Sequence, residues 1–406
     1  MPVAFRHHTL PNGLTIIAET DEAAMTAAAG FFVRTGARDE AGAIMGVSHF
    51  LEHMMFKGTP TRTSDDINRA FDEIGAKANA YTSNELTAFH AATLPEHLTA
   101  ALDVLADMMR PALRETDFST ERGVILEEIA MYEDEPMWVL YERCLEEHFG
   151  AHPLSHRVLG TKATISALQA PQMRGYFEHR YSADNTTLAL AGRVDFDAVV
   201  RHAERVCGHW QRTGAQRDAA SPPAAGKHFQ ITSDKVARAY LMVLAPGPGA
   251  ADPRRYAASV AALALGAPDN SRLHWALIET GIAEEASSGV ETLDGTGLWQ
   301  VFLGCDPDRI DEAEAIVQRE IDALAANITD DDVIRIKARV ATSAILAGER
   351  PDGRMHRIGR QWTSLGTHTT LEEEVRRIDE LTTHDVRRVL SELPWSPRTV
   401  GRLLPA

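Results

Sequence analysis

His49, Glu52 and His53 stand close together in the run Ser48-His49-Phe50-Leu51-Glu52-His53-Met54-Met55. On a helix, two histidines four apart share one face, because four residues take slightly more than one turn. Two neutral imidazoles on such a face, joined by a carboxylate from elsewhere in the chain, would give a divalent zinc ion three protein ligands and leave its fourth position for water. Glu52, one residue before the second histidine, is then placed to act as general base without being a ligand. The pattern H-x-x-E-H alone is weak evidence in a chain with 17 histidines, any one of which is more often a surface or hydrogen-bonded residue. Its setting strengthens it. Gly42 and Gly46 punctuate the loop before it, Phe50, Leu51, Met54 and Met55 back it, and Gly58-Thr59-Pro60 ends it. Two histidines and a glutamate buried among apolar neighbours are costly without a partner, and a metal removes that cost.

The flanking elements must hold this helix in place. An Asn12-Gly13 turn predicts a hairpin over residues 9–19, and a small, apolar strand follows at 26–33. Ile67, Ala70, Phe71 and Ile74 recur at helical spacing over 64–75, with Ser64 as N-cap and Gly75 as the stop. Strands are expected at 77–82 and 86–93, then helices over 94–110 and 117–149. On the latter, Glu121 and Glu128 are seven apart, two turns along one face, so both can look the same way. Glu133, Asp134 and Glu135 follow, and a solvated acidic face is the competing reading. Val124, Ile125 and Leu126 favour burial of the stretch, where a glutamate needs a partner.

Beyond it, 158–181 reads as helix with breaks, 186–191 as a strand and 196–210 as a helix. Residues 213–227 are small, contain Pro and Gly, lack periodicity and form the best linker, dividing the chain into domains 1–212 and 228–406. The second domain repeats the order of the first. A strand at 237–244 precedes an apolar helix at 256–265, where Ser259-Val260-Ala261-Ala262-Leu263-Ala264 carries neither His nor Glu. A strand at 298–305, helices at 308–326, 330–346 and 384–393, and a strand at 398–403 complete it. The expected class is α+β: two homologous halves, each an antiparallel sheet packed with helices, with the site kept in one.

A chain of 406 residues holds two or more full cores, and 44% hydrophobic with 24% charged residues are ordinary globular values. A net charge of -17 argues against nucleic acid or an anionic membrane as partner and favours basic or neutral ligands. Cys144, Cys207 and Cys305 have no metal spacing and read as reduced structural thiols. With no secretory signal in the first residues and no apolar run near the ~20 residues that span a bilayer, a cytoplasmic location is expected.

The run from His49 to Thr59, then Asn79-Ala80-Tyr81-Thr82-Ser83, then Glu121 to Glu128, resembles the pitrilysin/insulinase family of inverted-motif zinc peptidases. It is most similar to the family's short bacterial subunits related to mitochondrial processing peptidase. The resemblance covers nearly the whole chain, strongly over residues 10–165 and weakly afterwards. It implies one Zn2+ per chain held by His49, His53 and Glu128, with Glu52 as general base and Glu121 supporting the site from behind a ligand histidine. Asn79 and Ala80 match an edge strand that pairs with extended substrate by strand addition. The implied activity is that of a zinc-dependent metalloendopeptidase acting on short unfolded peptides inside an enclosed clam-shell chamber, of which this chain forms half.

One departure bears on partners. Self-sufficient members carry in their second half an Arg and, seven residues later, a Tyr that assist the substrate carbonyl. Here the matching stretch, 271–285, has Leu277 or Ile278 at the Arg position and Glu284 at the Tyr position. The expectation is therefore the zinc-bearing half of a heterodimer, whose homologous second subunit supplies the pair. The alternatives are a self-sufficient homodimeric peptidase using Arg272 or His274, and a non-catalytic structural subunit like the core proteins of the respiratory chain.

Overall fold

Short apolar runs bounded by turns become two sheets, and the longer periodic segments become the helices that cover them. The computed structural model describes residues 3–218 and 225–406, so positions 219–224 of the expected linker lie outside the described residues. Down the chain, strands β1 (Ala4–Thr9), β2 (Thr15–Thr20) and β3 (Ala27–Val33) lead to helices α1 (Val47–Met55) and α2 (Ser64–Glu73). Strands β4 (Lys77–Thr82) and β5 (Thr87–Thr93) precede α3 (Leu98–Met108), α4 (Glu115–Tyr132), α5 (Pro136–Phe149), α6 (Lys162–Ala167) and α7 (Ala170–Arg180). Then come β6 (Thr186–Gly192), α8 (Phe196–Cys207), β7 (His228–Ser233), β8 (Ala239–Gly247), α9 (Arg255–Gly266), β9 (Ala283–Leu293) and β10 (Thr296–Cys305). Helices α10 (Ile310–Asn327), α11 (Asp330–Glu349), α12 (Pro351–Leu365), α13 (Leu371–Asp379) and α14 (Thr383–Glu392) precede the closing strand β11 (Thr399–Pro405).

The first sheet has the order β1-β2-β6-β3-β5-β4 and the second β7-β11-β8-β10-β9. Strand for strand, β2, β6, β3, β5 and β4 correspond to β7, β11, β8, β10 and β9, so the second sheet repeats the first without β1. Within this correspondence α9, between β8 and β9, takes the place of α1, between β3 and β4. The sheets are mostly antiparallel, but each contains one parallel pair, β2 with β6 and β11 with β7. Those partners are joined by long stretches of chain rather than by a turn, which is what parallel neighbours require.

Two compact units result, and neither is contiguous in sequence. The first comprises residues 3–129, 156–218 and 345–369; the second comprises 130–155, 225–344 and 370–406. Sequence order and compact unit therefore part company at α5, which packs Leu140, Cys144 and Leu145 against Met242, Leu244 and Leu298 of the second sheet. They part again at α12, which packs Met355 and Ile358 against Ala28, Phe32 and Ala88 of the first. Strand β3 is buried along its whole length because α12 lies on one face while Phe31 and Val33 join the core with α1 and α3 on the other. The helix expected over 117–149 is in fact α4 and α5. Pro136 has no N–H to continue the ladder and disfavours helical geometry at Glu135, which is extended at φ −99°, ψ 101°. Helix α2 is capped by Thr63 rather than Ser64: its side chain accepts from Asp66 N–H, and the Asp66 carboxylate accepts from Thr63 N–H in return. Cys144, Cys207 and Cys305 are buried free thiols. Among the described residues no helix is long and apolar enough to cross a membrane.

Candidate metal centre

Helix α1 starts at Gly46, whose φ of 92° and close approach to the backbone of Leu159 leave no room for a Cβ. A glycine there offers no capping side chain, and Glu40 takes that role from a distance. Its buried carboxylate accepts from the N–H groups of Gly46 and Ser48, each at 2.7 Å. The Ser48 hydroxyl meets the Tyr176 hydroxyl at 2.7 Å, and that oxygen meets Thr35 Oγ1 at 2.7 Å. Burial pushes the Glu40 carboxyl up to about 8, against the pull of the two N–H groups. A carboxyl that holds its proton more tightly in the fold adds stability that is full below its ordinary range and lost as pH rises through about 8. Glu40→Gln, which keeps one acceptor oxygen, should therefore cost about 1–3 kcal/mol in denaturant unfolding and flatten this limb of the stability curve.

The apolar side of α1 then sets its rotation. Val47, Phe50, Leu51, Met54 and Met55 are buried, and the Phe50 ring stacks on Phe118 of α4 with centroids 4.7 Å apart. His49, Glu52 and His53 are left on the other side. Helix α4 meets them with a buried row of Phe118, Glu121, Ile125 and Ile129, while Val124 is 44% exposed. The burial expected of the 124–126 segment thus falls mainly on Ile125, because spacings of three and four select a different row.

His49 Nε2 and His53 Nε2 lie 3.7 and 3.6 Å from Glu128 Oε2, and the three atoms all fall within 4.8 Å of one another. These separations are too long for hydrogen bonds and close to the ~3.4 Å between donors sharing a tetrahedral ion on bonds of ~2.1 Å. Two imidazoles and a carboxylate are also the donor set of catalytic zinc, so the residues fit the ion. Burial lowers His49 to about 3, with His53 adding to the effect, which leaves the imidazole neutral as a ligand must be. On the far side of His53, Nδ1 lies 2.9 Å from Glu121 Oε1, and Lys57 Nζ lies 2.6 Å from Glu121 Oε2. A carboxylate can only accept, so Nδ1 carries the proton and Nε2 keeps its lone pair directed toward Glu128.

Glu52 lies near enough to His53 and Glu128 to interact with both, and accepts from Thr82 Oγ1 of β4 at 2.6 Å. Burial raises its carboxyl above the ordinary range; the Thr82 hydrogen bond pulls it back. Strand β4 is the end strand of its sheet, paired with β5 alone. Ala80 packs toward the core beneath α1 and Asn79 is exposed, its Oδ1 accepting from Ala80 N–H at 2.9 Å. Glu127, next to Glu128, is exposed. In the second unit Arg272 bonds the Asn327 carbonyl and lies 3.8 Å from Asp332, and His274 lies 3.2 Å from Glu279. Glu284 pairs with Arg238.

Three supporting residues, Glu40, Lys57 and Thr82, carry no role in the sequence reading. Thr82 alone left a signal, since Ala78, Ala80 and Thr82 alternate on the α1 side of a strand.

Residues 15–162 match the family model of insulinase, peptidase family M16, and residues 167–340 match that of the peptidase M16 inactive domain. An uncharacterized zinc protease of Streptomyces coelicolor is 34% identical, over 96% of this chain and 87% of its own. The beta subunit of the mitochondrial-processing peptidase of Blastocladiella emersonii is 28% identical, over 94% of this chain and 84% of its own. In fold, the chain is similar to a protease from Helicobacter pylori, with a TM-score of 0.91 at 19% identity over 99% of both chains. A chain of complex III2 from Candida albicans gives 0.87 at 20% identity, over 99% of this chain and 96% of its own. These likenesses define a metallopeptidase class. The chain belongs to the insulinase family, peptidase family M16, whose relatives here are named zinc proteases.

Proposed function

We propose that this chain is the zinc-bearing subunit of a peptidase that hydrolyses short unfolded peptides in an enclosed chamber. The observation that carries the reading is the convergence of His49, His53 and Glu128 on one point, with Glu52 interacting with His53 and Glu128 and Glu121 behind His53. When bound there, zinc supplies Lewis acidity to a water and to the scissile carbonyl. Glu52 takes the proton from the attacking water and hands one to the leaving amine, a task suited by a carboxyl raised toward neutrality. Thr82 holds the Glu52 carboxylate, and Glu121 holds the His53 ring. The free edge of β4 at Asn79 and Ala80 pairs with the extended substrate, which aligns its carbonyl before any chemistry occurs. The net charge of -17 favours basic peptides.

The absence of an Arg and Tyr at positions 277–278 and 284 supports a homologous partner that supplies them. Arg272 and His274 already have partners within their own unit, which disfavours them as substitutes. Likeness to a chain of complex III2 leaves a structural subunit as the second reading, and a measured zinc content of one ion per chain would argue against it.

The test is a mixed library of unstructured peptides incubated with the purified, zinc-loaded chain, products read by mass spectrometry against Glu52→Gln. With zinc bound and no partner, cleavage should be absent or slow. Full turnover by the chain alone, lost in Glu52→Gln, would overturn the partner requirement; equal turnover by both proteins would overturn the site. In the cleaving assembly, Thr82→Val should lower kcat about 10–100-fold with little change in KM, since a hydrogen bond to a charged group contributes about 1.5–3 kcal/mol.

A further inference from the structure

On the opposite face of the first sheet from α1, a second group of donors comes together. His90 on β5 faces α12, where Asp352 and His356 lie one turn apart. His90 Nδ1 and His356 Nε2 lie 3.8 and 3.6 Å from Asp352 Oδ1, and the three atoms fall within 4.8 Å of one another. The separations and donor types match those of the His49, His53 and Glu128 triad. They exceed a hydrogen bond, and His90 Nδ1 is buried with no hydrogen-bond partner.

The approach of α12 to His90 depends on a missing side chain. Gly30, directly opposite His90 in the β3–β5 register, would bring a Cβ to 2.9 Å from Met355 Sδ and 3.0 Å from His90 Cβ. Burial, ahead of other causes, lowers both histidines, the direction that favours the neutral imidazole a cation binds. Asp352 supplies the negative charge and, with 37% of its side chain exposed, leaves an entry path and room for water. The positive charge that faces the group is Arg360. It is tied back by its Nε–H to the Tyr81 hydroxyl at 2.9 Å, with its guanidinium 5.0 Å from the Tyr81 ring centroid.

We infer that His90, Asp352 and His356 form a second divalent transition-metal site, selective for an ion such as Zn2+ that accepts two imidazoles and a carboxylate. The site is structural. It fastens α12, which enters the chain after residue 350, to strand β5 of the first unit, and so holds the outer layer of the sheet whose edge is β4. An ion that binds the folded chain alone also raises its melting temperature.

The experiment uses the full chain, stripped with a chelator, reloaded with zinc chloride, gel-filtered and read by mass spectrometry of metal content. The wild type should retain two zinc ions per chain, and a His49→Ala/His53→Ala double variant should retain one. Adding Asp352→Asn or His356→Gln to that double variant should remove the remaining ion and the zinc-dependent rise in melting temperature. Asp352→Asn, at a partly exposed position, guards against loss of the fold, which circular dichroism verifies. A folded double variant that takes up no zinc would overturn the proposal. So would one that keeps its ion after both additions, since other histidines would then be the ligands. Because the double variant lacks the first site, these outcomes are independent of whether the chain is a peptidase.

Discussion

Glu52→Gln should reduce peptide hydrolysis by about two to four orders of magnitude in the assembly that cleaves, the range expected when a general base is removed. Glutamine has the same shape and still accepts from Thr82 Oγ1, so the helix and its two histidines stay in place. Zinc content and thermal stability should match the wild type. The effect belongs to kcat, because Glu52 moves a proton in the transition state and does not hold the ground-state substrate. Steady-state kinetics on one fluorogenic peptide, paired with metal analysis of the same sample, reads both quantities. A variant with full zinc and near-normal kcat would remove Glu52 from the mechanism.

The second large effect is expected at Glu121, which touches no donor atom of the proposed ion. Its carboxylate holds the proton-bearing Nδ1 of His53 on one oxygen and Lys57 on the other. Glu121→Ala frees the His53 ring to turn and to exchange tautomers, and leaves the Lys57 ammonium without its partner at the helix end. Zinc affinity should fall about 10–100-fold, as is usual when the group behind a ligand histidine is lost. Glu121→Gln keeps an acceptor for Nδ1 and should fall less. Competition against a chelator of known strength, at pH 7 and fixed ionic strength, measures the order of the three proteins. Equal affinity in all three would show that the His53 ring is held by other means.

Sequence and structure agree best where the information is local. The spacing of His49, Glu52 and His53 and the apolar residues between them define α1, and Asn12-Gly13 marks the hairpin of β1 and β2. The repeated order of elements in the second half emerges as the shared sheet topology, with α9 bearing neither His nor Glu at the place of α1. Helical periodicity leaves Glu121 and Glu128 open to an acidic-face reading; in the structure one is buried against His53 and the other half-buried beside both histidines. Less legible is everything set by contacts between distant residues. No periodicity reveals that Glu40 caps α1, since the contact is made across a loop by a single side chain. Nor does it reveal that α5, which precedes the linker, covers the second sheet and α12, which follows it, covers the first, since an amphipathic helix states that it has an apolar face and not which sheet receives it. Pro136 is the exception, a break written plainly in the chain within a long run of helix formers. The triad of His90, Asp352 and His356 combines a strand and a helix far apart in sequence, and only the fold brings them together.

His49, His53 and Glu128 are the proposed ligands of a hydrolytic zinc ion. The most direct test of this assignment is an anomalous difference map collected on both sides of the zinc absorption edge from crystals of the zinc-loaded full chain. A peak is expected about 2.0–2.2 Å from His49 Nε2, His53 Nε2 and a Glu128 oxygen. A map with no peak among these three residues, from protein that carries zinc elsewhere, would contradict it.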